Sequence, residues 1–338
     1  MKSIHINTNS AAKTFSQLQE QLSASYEKCF KEHCLRFHNP LGSGEVRGML
    51  LKNSIFYLEF NVTFEEDVVL HIESDIDKAV NFAYCSEGTV THQFTGNTQK
   101  NVLEPFQTAI LSNVVSANNT IYFPKDTFVN ITLITSYKLT KEVKSNTVQE
   151  QLFETFIKDK KENHAFISSY NLEIAEKIQQ LNAIKQDGVV RSLIVEGMVH
   201  IILALEIQQY KRDIKNTAVN TGSLTVNEMK EIKEISTFIK NYPEEATTVD
   251  DLCKKTGMTA AKLQEGFKLM HHTTVNDFIR DERVKKSEQM IKNSDLNISQ
   301  IVYSIGFSSR SYFCKIFKQK YNCTPTEYKS RVKLAATA

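Results

Sequence analysis

Apolar side chains recur at every second position through much of the first half of the chain, and at every third or fourth position through the rest. The alternation runs from about Val46 to Leu139. In IFYLEFNVTF the even positions Phe56, Leu58, Phe60, Val62 and Phe64 share one face. In FVNITLI the odd positions Val129, Ile131 and Leu133 do the same. Between them lie VVLHIE, VNFAYC, TVTHQF, FQTAIL and TIYF, separated by turn-like segments such as SEG and TGN. About eight short strands at this spacing predict an all-β sandwich or barrel.

Helical spacing flanks this region on both sides. Phe15, Leu18, Leu22, Tyr26 and Phe30 predict a helix over 11–38. From about Thr147 the helical period returns in NLEIAEKIQQLNAI and in RSLIVEGMVHIILALEIQQYKRD, with KQDG to turn the chain between them. In the second helix Leu193, Ile194, Met198, Ile201, Ile202 and Leu205 form a broad apolar stripe. That stripe would be buried on the β domain, on the neighbouring helix or across a dimer. Residues 215–227, KNTAVNTGSLTVN, lack apolar periodicity and read as a linker.

Cap chemistry then marks nearly every helix. Thr248 with Asp251 and Thr274 with Asp277 have the spacing of a capping box, as does Asn297 with Gln300. Thr324-Pro325-Thr326-Glu327 combines an N-cap, a proline at the first helical position and an acid at the third. These signals predict helices near 227–241, 249–256, 260–270, 275–292, 298–305, 309–321 and 325–331. Within them one grammar occurs twice: Leu252, Gly257, Leu263 and Phe267, then Ile301, Gly306, Phe313 and Phe317. Each set is a helix, a glycine turn and a second helix, the layout of a helix-turn-helix. The surface left over on the first such second helix includes Thr259, Ala261, Lys262, Gln264 and Glu265. On the other it includes Ser309, Arg310, Ser311, Tyr312 and Lys315.

Charge sharpens this division. From Ser223 onward the net charge is +5, and the preceding residues carry −3, which together give the +2 of the chain. A basic C-terminal end beside a mildly acidic remainder fits nucleic-acid binding confined to one end. The N-terminus leads into no apolar segment of a secretory signal, and Leu193–Leu205 is too short and too polar to span a bilayer. Six scattered cysteines without a CxxC fit reduced thiols in the cytoplasm.

RDERVKKSEQMI followed by ISQIVYSIGFSSRSYFCKIFKQKYNCTPTEY resembles the signature of the AraC/XylS family of transcriptional regulators. The preceding KLQEGFKLMHHTTVNDFIR is similar to the subgroup that contains the pyochelin regulators. Three positions depart from the family pattern: His272 stands for the usual Gly after the first reading helix, Ser287 for the usual Ala of the joining helix and Val302 for the usual Ala before the second turn. The resemblance implies an α+β multidomain chain. Residues 1–145 would be a cupin-like β-rich sensing domain with a leading helix, 146–214 a helical linker or dimerisation region, and 228–334 a DNA-binding domain with two helix-turn-helix units. By position, Ala261, Gln264 and Glu265 of the first reading helix, and Ser309, Arg310, Ser311 and Lys315 of the second, would face bases. Arg310 suits guanine, Gln264 adenine and Glu265 a cytosine amino group. Lys262, Lys268, Lys315, Lys318 and Lys320 would neutralise phosphate.

Other residue groups invite chemistry and carry less. Cys29, His33, Cys34 and His38 have metal-like spacing, but on one helix the two Cys–His pairs would point about 140° apart. His92 stands alone where a metal cupin needs a cluster, so no metal or other cofactor is expected. Arg47, Tyr84 and His92 are the polar candidates to hold a small molecule, with Arg47 suited to an anionic group. Neither a G-x-S-x-G nor a Walker loop occurs, which argues against an enzyme. The expected function is a sequence-specific transcription regulator whose N-terminal domain answers to a small molecule, a siderophore by the subgroup resemblance. The alternative is an N-terminal module for dimerisation or protein interaction without a ligand. Expected partners are promoter DNA, RNA polymerase and a second copy of the chain, with no membrane.

Overall fold

The alternating segments become strands, and the face each presents to its neighbours decides the architecture. The computed structural model describes residues 1–8, 10–74, 78–115, 118–137, 147–215, 224–245 and 248–336, in two units, Met1–Thr221 and Gly222–Ala338. In the first unit a strand β1 (Lys2–Asn7) and a helix α1 (Ala11–Leu22) precede β2 (Ser25–Cys29), β3 (Glu32–Asn39), β4 (Gly42–Leu50) and β5 (Ile55–Phe64). Then follow β6 (Val68–Glu73), β7 (Ala79–Glu87), β8 (Val90–Phe94), β9 (Lys100–Leu103), β10 (Gln107–Asn113), β11 (Asn119–Phe123) and β12 (Phe128–Tyr137). After them come α2 (Val148–Phe156), β13 (His164–Ile167), α3 (Leu172–Asn182) and α4 (Gly188–Lys215). The strands form a five-stranded sheet in the order β1-β6-β11-β8-β9 and an eight-stranded sheet in the order β13-β10-β7-β12-β5-β4-β3-β2.

Phe56, Leu58, Phe60, Val62 and Phe64 all point between the two sheets, together with Val129, Ile131 and Leu133, as their alternation predicts. There they meet Phe15, Leu18 and Leu22 of α1, and the interior is filled by side chains. The intervening residues of the central strands are buried too, because helices cover the outer face of the eight-stranded sheet. Phe82 packs edge-on against Phe156 of α2 at 5.4 Å, and the Tyr84 hydroxyl donates to the Asn171 carbonyl at the start of α3 at 2.5 Å. The all-β sandwich of the expected fold class is therefore present, with more strands than the eight expected.

Two expectations are corrected. The helix over 11–38 stops at Leu22, where Ser23 turns left-handed, and Ser25–Asn39 is a hairpin turning at Phe30, itself left-handed. Tyr26 and Phe30 are exposed, so their helical spacing from Leu22 was coincidental. Cys29, His33, Cys34 and His38 accordingly lie on strands. His33 stacks on Phe15 at 4.9 Å and accepts or donates to the Tyr26 hydroxyl at 2.8 Å, while Cys34 takes the opposite face as the next residue along. The second correction concerns α4. Of its six expected stripe residues only Ile202 is fully buried, and Leu193, Ile194 and Ile201 are exposed. The buried side is Ser192, Val195, Val199, Ile202, Leu203, Glu206 and Gln209. Apolar residues surround this helix on nearly every side, so periodicity could not select the side that meets the sheet. It runs 28 residues, long and apolar enough by length and composition to cross a membrane, contrary to the estimate from Leu193–Leu205 alone. Residues 216–223 of the expected linker, and the expected boundaries at Leu139 and 145/146, lie outside the described residues.

A polar chain crosses the interior at one end. Thr135 donates to Asn81 at 2.7 Å, Asn81 to Asn113 at 2.7 Å, and Asn113 to Asn119 at 3.3 Å. His92 Nε2 contacts the Asn119 carbonyl oxygen at 3.0 Å and Nδ1 faces the Asn101 amide at 3.5 Å, an arrangement that suits a neutral ring. Burial pulls the His92 pKa down to about 4. A histidine so depressed takes up its proton more readily when unfolded, so its stability contribution is complete above pH 6.5 and is lost as pH falls towards 4. We expect chemical-denaturation curves of the chain to lose on the order of 3 kcal/mol across that window from this group. A His92→Gln variant should lack that part of the slope.

Candidate nucleic-acid interface

The second unit is built from α5 (Val226–Asn241), α6 (Val249–Thr256), α7 (Ala260–His271), α8 (Val275–Asn293), α9 (Ile298–Ser304), α10 (Arg310–Tyr321) and α11 (Pro325–Ala336). Each begins within a residue or two of its predicted start, because side-chain oxygens receive the otherwise unpaired first-turn amides. Asn297 with Gln300, and Thr324 with Glu327, exchange bonds reciprocally, and so does Thr225 with Glu228, a pair that the reading of the sequence missed. Thr248 and Thr274 cap too, but Asp251 and Asp277 accept from the threonine hydroxyls, their side chains being one carbon shorter than Glu.

Leu252, Leu263 and Phe267 are buried in the first half of the unit, and Ile301, Phe313 and Phe317 in the second. Gly257 (φ 70°) and Gly306 (φ 83°) both take the left-handed conformation at the turns. His272 and Asn322 end α7 and α10 in the same left-handed conformation, the one glycine adopts without strain, so nothing in the structure explains the histidine at 272. Ser287 is buried on α8, where its hydroxyl donates to the Val284 carbonyl at 2.6 Å, and Val302 is buried in the second core.

Both halves share α8. Val275, Phe278 and Ile279 belong to its first turns, and Val284 and Ile291 to the second core. Its 19 residues span about 28 Å at 1.5 Å per residue. Packed on α8 through Val275 and Phe278 on one side and Arg280 and Asp281 on the other, α7 and α10 carry matching stripes with the same spacing from their caps: Ala261, the half-buried Glu265 and Lys268 on one, Ser311, Lys315 and Lys318 on the other.

The predicted contact residues fall into two groups. Ala261, Lys268, Arg310, Ser311, Lys315 and Lys318 are exposed. Arg310 makes one 3.2 Å bond to the Ser299 hydroxyl, and Tyr312, also exposed, receives the Arg280 guanidinium at 3.4 Å. The others serve the frame. Thr259 and Ser309 are N-caps, Lys262 pairs with Glu228 of α5 at 2.6 Å, and Gln264 accepts the first amide of α8, from Val275, at 3.1 Å. Lys320 is held by Asp281 of α8. The three ligand candidates of the first unit do not converge. Arg47 lies on the outer face at β4, Tyr84 is buried under α3, and His92 is inside the sandwich.

Arg283 of α8 was overlooked in the sequence, where it reads as one charge among many. Its Nε donates to the Pro243 carbonyl beyond α5 at 2.9 Å, and its Nη1 to the Gly306 carbonyl in the second turn at 2.8 Å. A Cβ at Gly306 would approach the guanidinium to 2.9 Å, so the glycine also leaves room for the fork. One side chain thus ties the first half to the turn of the second. Arg283→Ala should lower unfolding stability by about 2 kcal/mol, since two carbonyls lose a charged donor. Arg283→Lys should recover only part of that, because an ammonium lacks the fork; denaturant melts of the two variants check both.

Residues 252–331 match the family model of the helix-turn-helix domain. Histidine kinase P4 of Formosa agariphila is 35% identical over 91 residues, 27% of this chain and 7% of that protein. The uncharacterized HTH-type transcriptional regulator YdeC of Bacillus subtilis is 25% identical over 216 residues, 60% of this chain and 67% of that one. Regulatory protein SoxS of Escherichia coli K12 is 24% identical over 107 residues, 32% of this chain and all of that one. The chain thus spans a small fraction of the first relative and two thirds of the second. Residues 252–331 are a helix-turn-helix domain.

Proposed function

We propose that the chain is a sequence-specific DNA-binding transcription regulator whose α7 and α10 enter successive major-groove segments on one face of the duplex. The observation that carries this reading is the pair of stripes with matched spacing on α7 and α10, two helices held on the shared α8, with Arg310, Lys315 and Lys318 exposed on the second. Arg310 offers guanine two donors, while Lys315 and Lys318 meet phosphate. Glu265, at the place on α7 that Lys315 holds on α10, makes the first helix the more selective half, since a carboxylate tolerates a cytosine amino group and repels phosphate. Lys262 and Gln264 act indirectly, by fixing α7 to α5 and α8. RNA polymerase is the partner such a regulator needs, and the cytoplasm is where it would meet both.

In this reading the N-terminal unit supplies the signal. The resemblance of 262–280 to the pyochelin-regulator subgroup makes a ferric siderophore the first effector to test. A second reading gives that unit the role of dimerisation, and a specific observation favours it: Val190, Leu193, Ile194 and Ile201 line the outer side of α4, with Leu193 65% exposed. A second copy of α4 laid on this stripe would bury it and pair two DNA-binding units.

Footprinting on the DNA flanking the chain's own gene tests the first reading. Arg310→Ala should cost about 1–3 kcal/mol at the protected site and relax one base position. Equal weakening on random DNA would remove Arg310 from base readout. For the second reading, light scattering should show a dimer that a Leu193→Asp, Ile201→Asp double variant converts to a folded monomer. A wild-type chain that is monomeric at tens of micromolar would refute it.

A further inference from the structure

On the outer face of the eight-stranded sheet, where β2, β3 and β4 run beneath the turn from α3 to α4, lies a cleft of about 220 Å³. Arg47 and Cys34, opposite each other in the sheet register, line it from below. Lys185 of the turn and Arg191 of the first turns of α4 line it from the helical side.

Its cations are unevenly paired. Arg191 holds Glu32 through two nitrogens, one at 2.9 Å, and donates a third N–H to the Ile184 carbonyl at 2.8 Å. Arg36 spends its donors on Glu45 at 2.7 Å and Glu27 at 3.1 Å. Arg47 must share Glu45, which its buried Nε meets at ion-pair distance without an aligned hydrogen bond. Glu59, opposite Arg47 in the sheet register, accepts from Tyr57, Asn130 and Asn182 instead, so the cations left without a carboxylate of their own are Arg47 and Lys185. Among the described residues no acceptor is aligned with either terminal nitrogen of Arg47, and no carboxylate pairs with Lys185. The Arg47 side chain is only 23% exposed, so its unused fork faces little besides the cleft. A half-buried guanidinium with idle donors is a poorly satisfied group unless an anion completes it.

We infer that this cleft binds a small anion, a carboxylate or phosphate head, gripped by the terminal nitrogens of Arg47 and balanced by Lys185. The forked, two-oxygen geometry is the one in which a guanidinium holds such groups best. The volume lies below the roughly 300–1,000 Å³ of sites that enclose a drug-sized molecule. It fits a small acid, or only the anionic end of something larger. An anion there joins β4 to the start of α4, the helix with the unpaired apolar stripe. A regulatory use of that joint rests on the proposed function; the binding itself does not.

Titration calorimetry on the full chain, at constant ionic strength and without DNA, tests the site with inorganic phosphate, sulfate, succinate and citrate as separate probes. Saturable one-to-one binding of at least one probe is expected, and the pattern across probes tells phosphate from carboxylate recognition. Arg47→Gln should weaken it by about tenfold or more, and Lys185→Glu should abolish it, whereas Lys125→Gln, on the surface beside Asp126, should leave it unchanged. No saturable binding by any probe would overturn the inference, as would wild-type affinity in Lys185→Glu. Lys185 sits on an exposed turn, so that variant reports even if Arg47→Gln fails to fold. Footprinting of the same preparations is independent of the result, so loss of the anion site leaves the DNA-binding reading standing.

Discussion

Neither helix-turn-helix half encloses a core of its own, and both borrow α8. A helix of 7 or 12 residues is marginal in isolation, and burying one apolar face is what holds it. Phe313 and Phe317 are completely buried, each worth on the order of 2–3 kcal/mol in apolar burial, against a wall that Val284 and Ile291 of α8 supply. The other end of the same helix gives Val275 and Phe278 to the first half. Because a helix is stiff along its axis, sharing it fixes the separation of α7 and α10, and the Arg283 fork fixes the second turn relative to the chain beyond α5.

The first unit solves a different problem. Its central strands are buried on both faces, between the sheets by α1 and the five-stranded sheet, and outside by α2, α3 and α4. That double cover explains why Tyr57, Glu59 and Tyr84 are as buried as the phenylalanines beside them. Polar groups on the covered face then need partners. Glu59 receives the Tyr57 hydroxyl at 2.7 Å and the Asn182 amide at 2.9 Å, and Tyr84 reaches the Asn171 carbonyl. Glu206 finds no partner for either oxygen among the described residues, and burial raises its carboxyl well above the usual range, which favours its neutral form. The outer sheet face is thus rich in polar side chains up to its edge, where the network ends in the cleft at Arg47.

How legible each part was follows from how local its cause is. Helix starts from Thr248 to Thr324 were readable because a cap is a contact between residues three apart. The alternation of Phe56 to Phe64 was readable because a strand's two faces follow from its own backbone. The helix expected over 11–38 failed for the opposite reason. Pairing of β2 with β3, itself held by β4, turned Tyr26 and Phe30 into hairpin residues, and their apolar spacing alone does not announce the partner strand. The roles of Lys262 and Gln264 were illegible for a similar reason, since Glu228 and Val275 are 34 and 11 residues away.

The sequence by itself determined where the C-terminal helices begin, that they form two helix-turn-helix units, and which faces of the central strands look inward. These depend on interactions within a turn or within a strand. Tertiary structure alone decided which side of α4 is covered, because an all-round apolar helix has no preferred face until a sheet is beside it. It alone separated the exposed Arg310, Lys315 and Lys318 from the committed Lys262 and Lys320, since a charge is spent or free only once its neighbours are in place. It also placed Arg47, Lys185 and Arg191, far apart in the chain, around one cleft, a convergence that only folding can produce.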